Sequence, residues 1–167
     1  QIAAAAFNVQ TNSPKLYKDD PDRGYKVFDS YLYPIGGQNP GIANLLDGGD
    51  GFMYIGGSNG ALYRVDKESG VCEFLGMASP GGRLEGMAFG PDGKLYLAGG
   101  TFYCTRMAVY DRKSGRLTDL GPIYDATRDE ACIIVHAMCM TEDGVLYIGE
   151  TDNCERSGFL WECVPPV

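Results

Sequence analysis

A chain of 167 residues with 24 glycines, 44% hydrophobic and 11% aromatic residues can bury a sizeable core, and it is dense in turn-formers. Fourteen basic residues against 22 acidic ones leave a net charge of −8, and the basic residues form no run; this excludes a phosphate-rich partner such as nucleic acid or an anionic membrane surface. No apolar run approaches the roughly twenty residues of a membrane-spanning helix, so no membrane span is expected.

Residues 1–24 begin with an apolar IAAAAF at 2–7, too short and too poor in flanking basic residues for a signal peptide. The polar stretch after it ends in DDPDRG, and the whole reads as an extended N-terminal arm. Residues 25–41 carry aromatic runs at 26–28 and 31–33, closed by YPIGG. They read either as a partial first unit or as strands that supply the outer edge of the last unit.

From residue 42 the chain repeats. Asp50-Gly51, Asp92-Gly93 and Asp143-Gly144 each open a variant of one strand, GFMYIGG, GKLYLAGG and GVLYIGE. DKESG at 66–70 matches DRKSG at 111–115, and in both the next glycine lies ten residues after the Asp, at Gly76 and Gly121. Between 84 and 121 the unit is complete, with apolar runs at 84–89, 94–98, 107–110 and 116–120, each closed by Gly, Pro or Asp. Short runs of β-formers punctuated in this way are hairpin-linked strands. Asp and Ser at these turns cap through their side chains, and Gly supplies positive φ.

The Asp-Gly pairs are spaced by 42 and 51 residues. That period is too long for ankyrin or tetratricopeptide repeats and suits a four-stranded propeller blade. The expected fold is therefore all-β, about three to three and a half antiparallel blades: 42–79, 80–122 and a three-stranded terminal blade over 123–167. Closed propellers have about four to eight blades. An array this short leaves open flanks, and open sheet edges template association. The expected partner is another copy or another propeller segment.

Six cysteines, at 72, 104, 132, 139, 154 and 163, show no CxxC and no Cys/His pairing of the zinc kind. Cys104 and Cys154 fall in corresponding loops of adjacent repeats, a placement that admits a bridge. Cys139, between Met138 and Met140, reads as a buried free thiol. A mild preference for an extracellular or periplasmic location follows, with the cytoplasm left open.

Alignment of the repeats places Ala43, Glu85 and His136 seven residues before each Asp, on the first strand of each unit. In a propeller that strand lies nearest the axis. His136 is the only histidine, so any role for an imidazole near neutral pH falls to it, and a multi-histidine metal site is excluded. The alternative is a channel or core histidine bonded to a backbone carbonyl. Seven residues after the Asp, Gly57 and Gly99 give way to Glu150. Together with the connections at 79–83 and 123–130, the rim holding Glu150 would gather Arg83, Arg128, Asn153 and Arg156, arginine forks that suit a carboxylate. Tyr103 or Tyr124 is placed to stack on a sugar ring. The bland alternative is that these loops are polar because they are wet. No nucleotide loop, nucleophile elbow or calcium loop is present, and the sequence specifies no cofactor.

The phrases LEGMAFGPDGKLYLAGG and AVYDRKSGRLTDLG resemble blades of the propeller group that includes virginiamycin B lyase, gluconolactonase-like enzymes and several polysaccharide lyases. The resemblance covers residues 42–163. It implies a lyase chemistry in which a channel-facing base removes a proton beside a neutralised carboxylate. His136 would be the base, with Arg128 or Arg156 holding the acid group. Of the acidic and Asn metal ligands of gluconolactonases, only Glu85 and Asn153 have counterparts here. Two functions stay open: a catalytic or ligand-binding propeller acting on an acidic sugar, with His136 and Glu150 catalytic and Glu85, Arg83, Tyr103, Arg128, Asn153 and Arg156 binding; or a non-catalytic assembly module that completes its ring through its open flanks.

Overall fold

A computed structural model describes residues 4–6, 25–27, 40–151 and 158–165, all strand, turn or loop with no helix. Strand β1 (Ala4–Ala6) pairs in parallel with β2 (Tyr25–Val27). The first large sheet is an antiparallel meander in chain order, β3 (Ile42–Asp47), β4 (Phe52–Gly57), β5 (Ala61–Asp66) and β6 (Cys72–Met77). The second repeats it with β7 (Arg83–Phe89), β8 (Leu95–Gly100), β9 (Arg106–Asp111) and β10 (Arg116–Pro122). A short hairpin, β11 (Tyr124–Asp125) and β12 (Glu130–Ala131), leads to the third sheet. That sheet has three strands among the described residues, β13 (Val135–Met140), β14 (Leu146–Glu150) and β15 (Leu160–Cys163).

The repeat read from the sequence is thus the repeat of the fold. The turn residues act as their chemistry requires. Asp50 accepts the amide of Phe52 and the hydroxyl of Tyr54 at 3.2 and 2.9 Å. Asp92 does the same for Lys94 and Tyr96 at 3.0 and 3.1 Å. The third repeat departs from this. Thr141 closes its turn by bonding Val145, and the Tyr147 hydroxyl reaches Glu162 instead.

Alternation along the strands sorts side chains onto two faces of each sheet. Tyr54 and Leu62 from the first sheet pack with Leu84, Met87, Leu95 and Leu97 from the second. Ala88, Tyr96 and Ala98 from the second pack with Val135, Leu146 and Ile148 from the third. Ile55, Tyr63 and Val65 cluster on the opposite face of the first sheet. The first strands β3, β7 and β13 are neighbours in space, as the innermost strands of successive blades are. Arg112 fastens the first two sheets. It donates to the carbonyls of Gly48 and Gly93 and to Asp50, and its guanidinium lies 4.5 Å from the centre of the Phe89 ring.

Cys139 is exposed, not buried. It pairs across the sheet with Tyr147, which pairs with Glu162, so it shares their face. Its neighbours Met138 and Met140 point the other way, into the core against the second sheet. Cys104 is a free, exposed thiol rather than half of a bridge; Cys154 lies outside the described residues.

The capping carboxylates make stability depend on acid. The Ser69 amide and hydroxyl hold Asp66 below its ordinary 3.8, the Lys113 amide and Ser114 hydroxyl do so for Asp111, and the Lys67 ammonium and Gly49 amide for Asp47. Burial pushes Asp50 upward, but its bonds from Tyr54 and Phe52 and the charge of Arg112 outweigh this and leave it low. Each folded carboxylate binds its proton less readily than the unfolded one. Its contribution is present above 3.8 and lost as pH falls through the lowered values. The urea midpoint is expected to be flat from about pH 7 to 5 and to drop steadily below about pH 4; a midpoint unchanged at about pH 2.5 would contradict this.

Candidate functional site

Each first strand carries a β-bulge at the same place. Register slips between Ile42 and Asn44, between Leu84 and Gly86, and between Val135 and Ala137. The residues left unpaired are Ala43, Glu85 and His136, the position seven residues before each Asp. A bulged residue escapes the strict alternation of its strand and is re-aimed. In the second and third sheets the re-aimed side chains meet. His136 Nδ1 stands 3.9 Å from Glu85 Oε2, and Arg83 Nε lies 3.0 Å from Glu85 Oε1. Glu85 is thus held between a guanidinium and an imidazole, with its side chain only 11% exposed while those of Arg83 and His136 are 61% and 67% exposed. The Glu85 carbonyl accepts a bond from the Asn44 side-chain amide, which ties the bulge to the first sheet.

These three residues border a cleft of about 360 Å³ whose other walls include Ser58, Gly82 and Phe102. The wall between Arg83 and Phe102 is stripped of side chains for a steric reason. A Cβ on Gly82 would lie 2.1 Å from the carbonyl carbon of Gly100. The cleft therefore presents one cation, one nearly covered carboxylate, one accessible imidazole and one exposed ring. His136 is no packed core histidine; its Nδ1 faces a carboxylate and its side chain is open to solvent.

Glu150 sits elsewhere. It pairs in register with Val135, as Gly57 pairs with Ile42 and Gly99 with Leu84. Its side chain accepts the Trp161 indole N–H at 2.9 Å, and the residue is 8% exposed. It borders neither the His136 cleft nor the second groove described next. Arg128 is exposed, 3.7 Å from Asp125, and lines that second groove of about 530 Å³ beside β15. Tyr103, on the loop after β8, is 54% exposed with φ of 57°, but it is the adjacent Phe102 that lines the cleft. Asn153 and Arg156 lie outside the described residues. Phe102 and the glycine wall carry no signal in the sequence. Strand periodicity does not extend into a loop, so it cannot say which of two neighbouring aromatics turns inward.

No protein-family model matches the chain, and no curated protein matches it in sequence. Solved structures do. The extracellular domain of a one-component system from B. thetaiotaomicron aligns with 71% of this chain at a TM-score of 0.53 and 17% identity. The WD40 β-propeller domain of Doa1 aligns with 71% at 0.52 and 16% identity. Virginiamycin B lyase from Staphylococcus aureus aligns with 82% at 0.52 and 16% identity. The chain spans 16%, 36% and 45% of those proteins respectively. At such identities the likeness is one of fold. The chain is a partial β-propeller that resembles virginiamycin B lyase and WD40 propeller domains in the build of its blades.

Proposed function

We propose that the chain is a ligand-binding or catalytic propeller module whose site is the cleft between the second and third blades, and that its ligand is an acidic sugar or a related small carboxylate. The supporting observation is the Arg83–Glu85–His136 cluster, made by two bulges at equivalent positions in successive sheets. Arg83 offers a fork to the ligand carboxylate, and Phe102 offers a face for a sugar ring. His136 removes a proton from the carbon next to the carboxylate, whose negative charge Arg83 offsets as the enolate develops. Glu85 orients the imidazole and stabilises it once protonated. In this reading Arg83 replaces Arg128 as the carboxylate anchor, and Glu150 positions Trp161 without touching the ligand. The enolate then expels the oxygen on its β-carbon, which leaves as an alcohol with a proton from solvent, so the step is a β-elimination; hydrolysis at the same unit would instead use His136 to deprotonate the attacking water. An extracellular location belongs to the same reading, supported by the extracellular domain among the structural neighbours. Turnover of a uronate-containing saccharide by the wild type and by His136→Ala tests it, and equal rates in the two would remove it.

A second reading has its own observation. On the face of the third sheet turned away from the second, Leu160 is 73% exposed, and Val164 just after β15 is 74% exposed. The equivalent faces of the first two sheets are covered by the next sheet. In this reading the face docks another propeller blade, from a second copy or another segment, and the module assembles without catalysis. Light scattering over a concentration series distinguishes the two: assembly gives a mass that rises above 18.1 kDa with concentration and falls back in Leu160→Lys, and a constant monomer mass discards it.

A further inference from the structure

Beside the His136 cleft the backbone takes a conformation that its residue disfavours. Thr101, Phe102, Tyr103 and Cys104 form a tight turn, closed by a bond from the Cys104 amide to the Thr101 carbonyl at 2.8 Å. The third residue of the turn, Tyr103, has a φ of 57°. Positive φ at that position is the type II pattern, which asks for glycine or asparagine there. Among the described residues positive φ otherwise falls on glycines and on Asp129, whose short polar side chain tolerates it. A bulky ring-bearing residue in this region is strained, and it persists only where its surroundings over-determine it.

Those surroundings hold both ends of the turn. On entry, Gly100 pairs in the ladder with Arg83, so the turn leaves the sheet opposite the cation of the cleft. A Cβ on Gly100 would lie 2.5 Å from the Cys104 carbonyl oxygen, so the two ends also pack on each other. On exit, Thr105 is buried. Its hydroxyl donates to the Cys132 carbonyl at 2.6 Å, and its own carbonyl accepts the Ile123 amide at 3.2 Å. The turn is thus fixed to the strand of Arg83 at one end and to the lead-in of the third blade at the other. Between these anchors Phe102 lines the cleft and Tyr103 does not.

We infer that Tyr103 is a positioning residue of the cleft: held in the left-handed region between two anchored ends, it fixes the turn that presents the Phe102 ring to a carboxylate ligand built on a ring. It acts through the main chain and touches no ligand itself. A residue with a Cβ has only a small left-handed well, whereas glycine ranges freely over that side of conformational space. Glycine at 103 would therefore accept the same φ and let the turn wander. Tyrosine keeps Phe102 set before the ligand arrives, which spares the cost of ordering it on binding. The inference rests on the reading of the cleft as an acidic-sugar site and adds a selectivity to it. Phe102 counts for a cyclic carboxylate, and an acyclic one reaches Arg83 without it.

Heteronuclear NMR titrations of the intact protein with D-galacturonate, a cyclic carboxylate, and D-lactate, an acyclic one, test this, and the same spectra report that each variant is folded. The variants are Phe102→Ala, Tyr103→Gly and Tyr103→Asn. Asparagine tolerates positive φ while keeping a Cβ, and it brings no ring. Tyr103→Gly is expected to weaken galacturonate binding about threefold to tenfold, the cost of ordering one side chain, and Phe102→Ala at least as much. Tyr103→Asn is expected to bind galacturonate as the wild type does, and lactate to bind all four proteins alike. Wild-type affinity for galacturonate in Tyr103→Gly overturns the inference. So does a loss in Tyr103→Asn as large as in Tyr103→Gly, because the tyrosine ring would then be the contact. A wild type that binds neither carboxylate removes the acidic-sugar reading and this inference together; one that binds both, with no difference among the Tyr103 variants, removes this inference alone.

Discussion

Replacing His136 with alanine is expected to lower turnover of a uronate-containing substrate about 10²- to 10⁴-fold, the usual share of a positioned general base. The fold should be unaffected. His136 sits in a bulge with its side chain 67% exposed, and surface substitutions of that kind change stability by about 0.5 kcal/mol or less. Circular dichroism and the urea midpoint of the variant check this point, so a loss of rate cannot be laid to unfolding. Glu85→Gln is the informative companion. It keeps the shape of a nearly covered side chain but removes the charge between Arg83 and His136. If Glu85 works by orienting and stabilising the imidazole, this variant falls between the wild type and His136→Ala in rate. Should His136→Ala retain the wild-type rate, the elimination chemistry assigned to this cleft is wrong.

The largest expected loss of stability from a single methyl group is at Gly60. This residue closes the hairpin between β4 and β5 with φ of 83°, and its carbonyl accepts the amides of Ala78 and Ser79 at 3.0 and 2.9 Å. The link between the first and second blades is therefore bolted to the tip of this hairpin. A Cβ there would lie 1.7 Å from the carbonyl oxygen of Ser79, a main-chain atom that cannot rotate aside. Gly81, on the same link, has nearly the same φ of 82° and nothing within 4 Å of its Cβ position. Gly81→Ala carries only the left-handed backbone penalty, about 1–2 kcal/mol. Gly60→Ala adds displacement of the blade link and is expected to cost more than about 4 kcal/mol, the range reserved for severe local conflicts. Urea denaturation of the two variants side by side checks the difference. Equal losses would mean that the hairpin tip and the link are not held in contact.

Much of the architecture was legible in the residues because propeller blades are local. Each strand pairs with the one before it, so Asp50-Gly51, Asp92-Gly93 and Asp143-Gly144 mark the hairpins and also fix the register of the strands they join. The two positions seven residues to either side of those Asp residues prove to be adjacent in the ladder. Glu85 follows Leu84, the partner of Gly99, and His136 follows Val135, the partner of Glu150. Repetition alone exposed both positions as places where the units differ.

The sequence by itself determined the repeat, the turn chemistry and the single imidazole, because these depend on residues close together along the chain. Only the tertiary structure decided which candidates share a site. A bulge shifts one residue out of the two-residue period that sorts strand side chains, so periodicity cannot say where Glu85 and His136 point. It likewise took packing between sheets to bring His136 to Glu85 and Arg83, to set Glu150 against Trp161, to turn Phe102 rather than Tyr103 into the cleft, and to leave Cys139 on an open face. Those distances are fixed by contacts between residues remote in sequence, where no local pattern reaches.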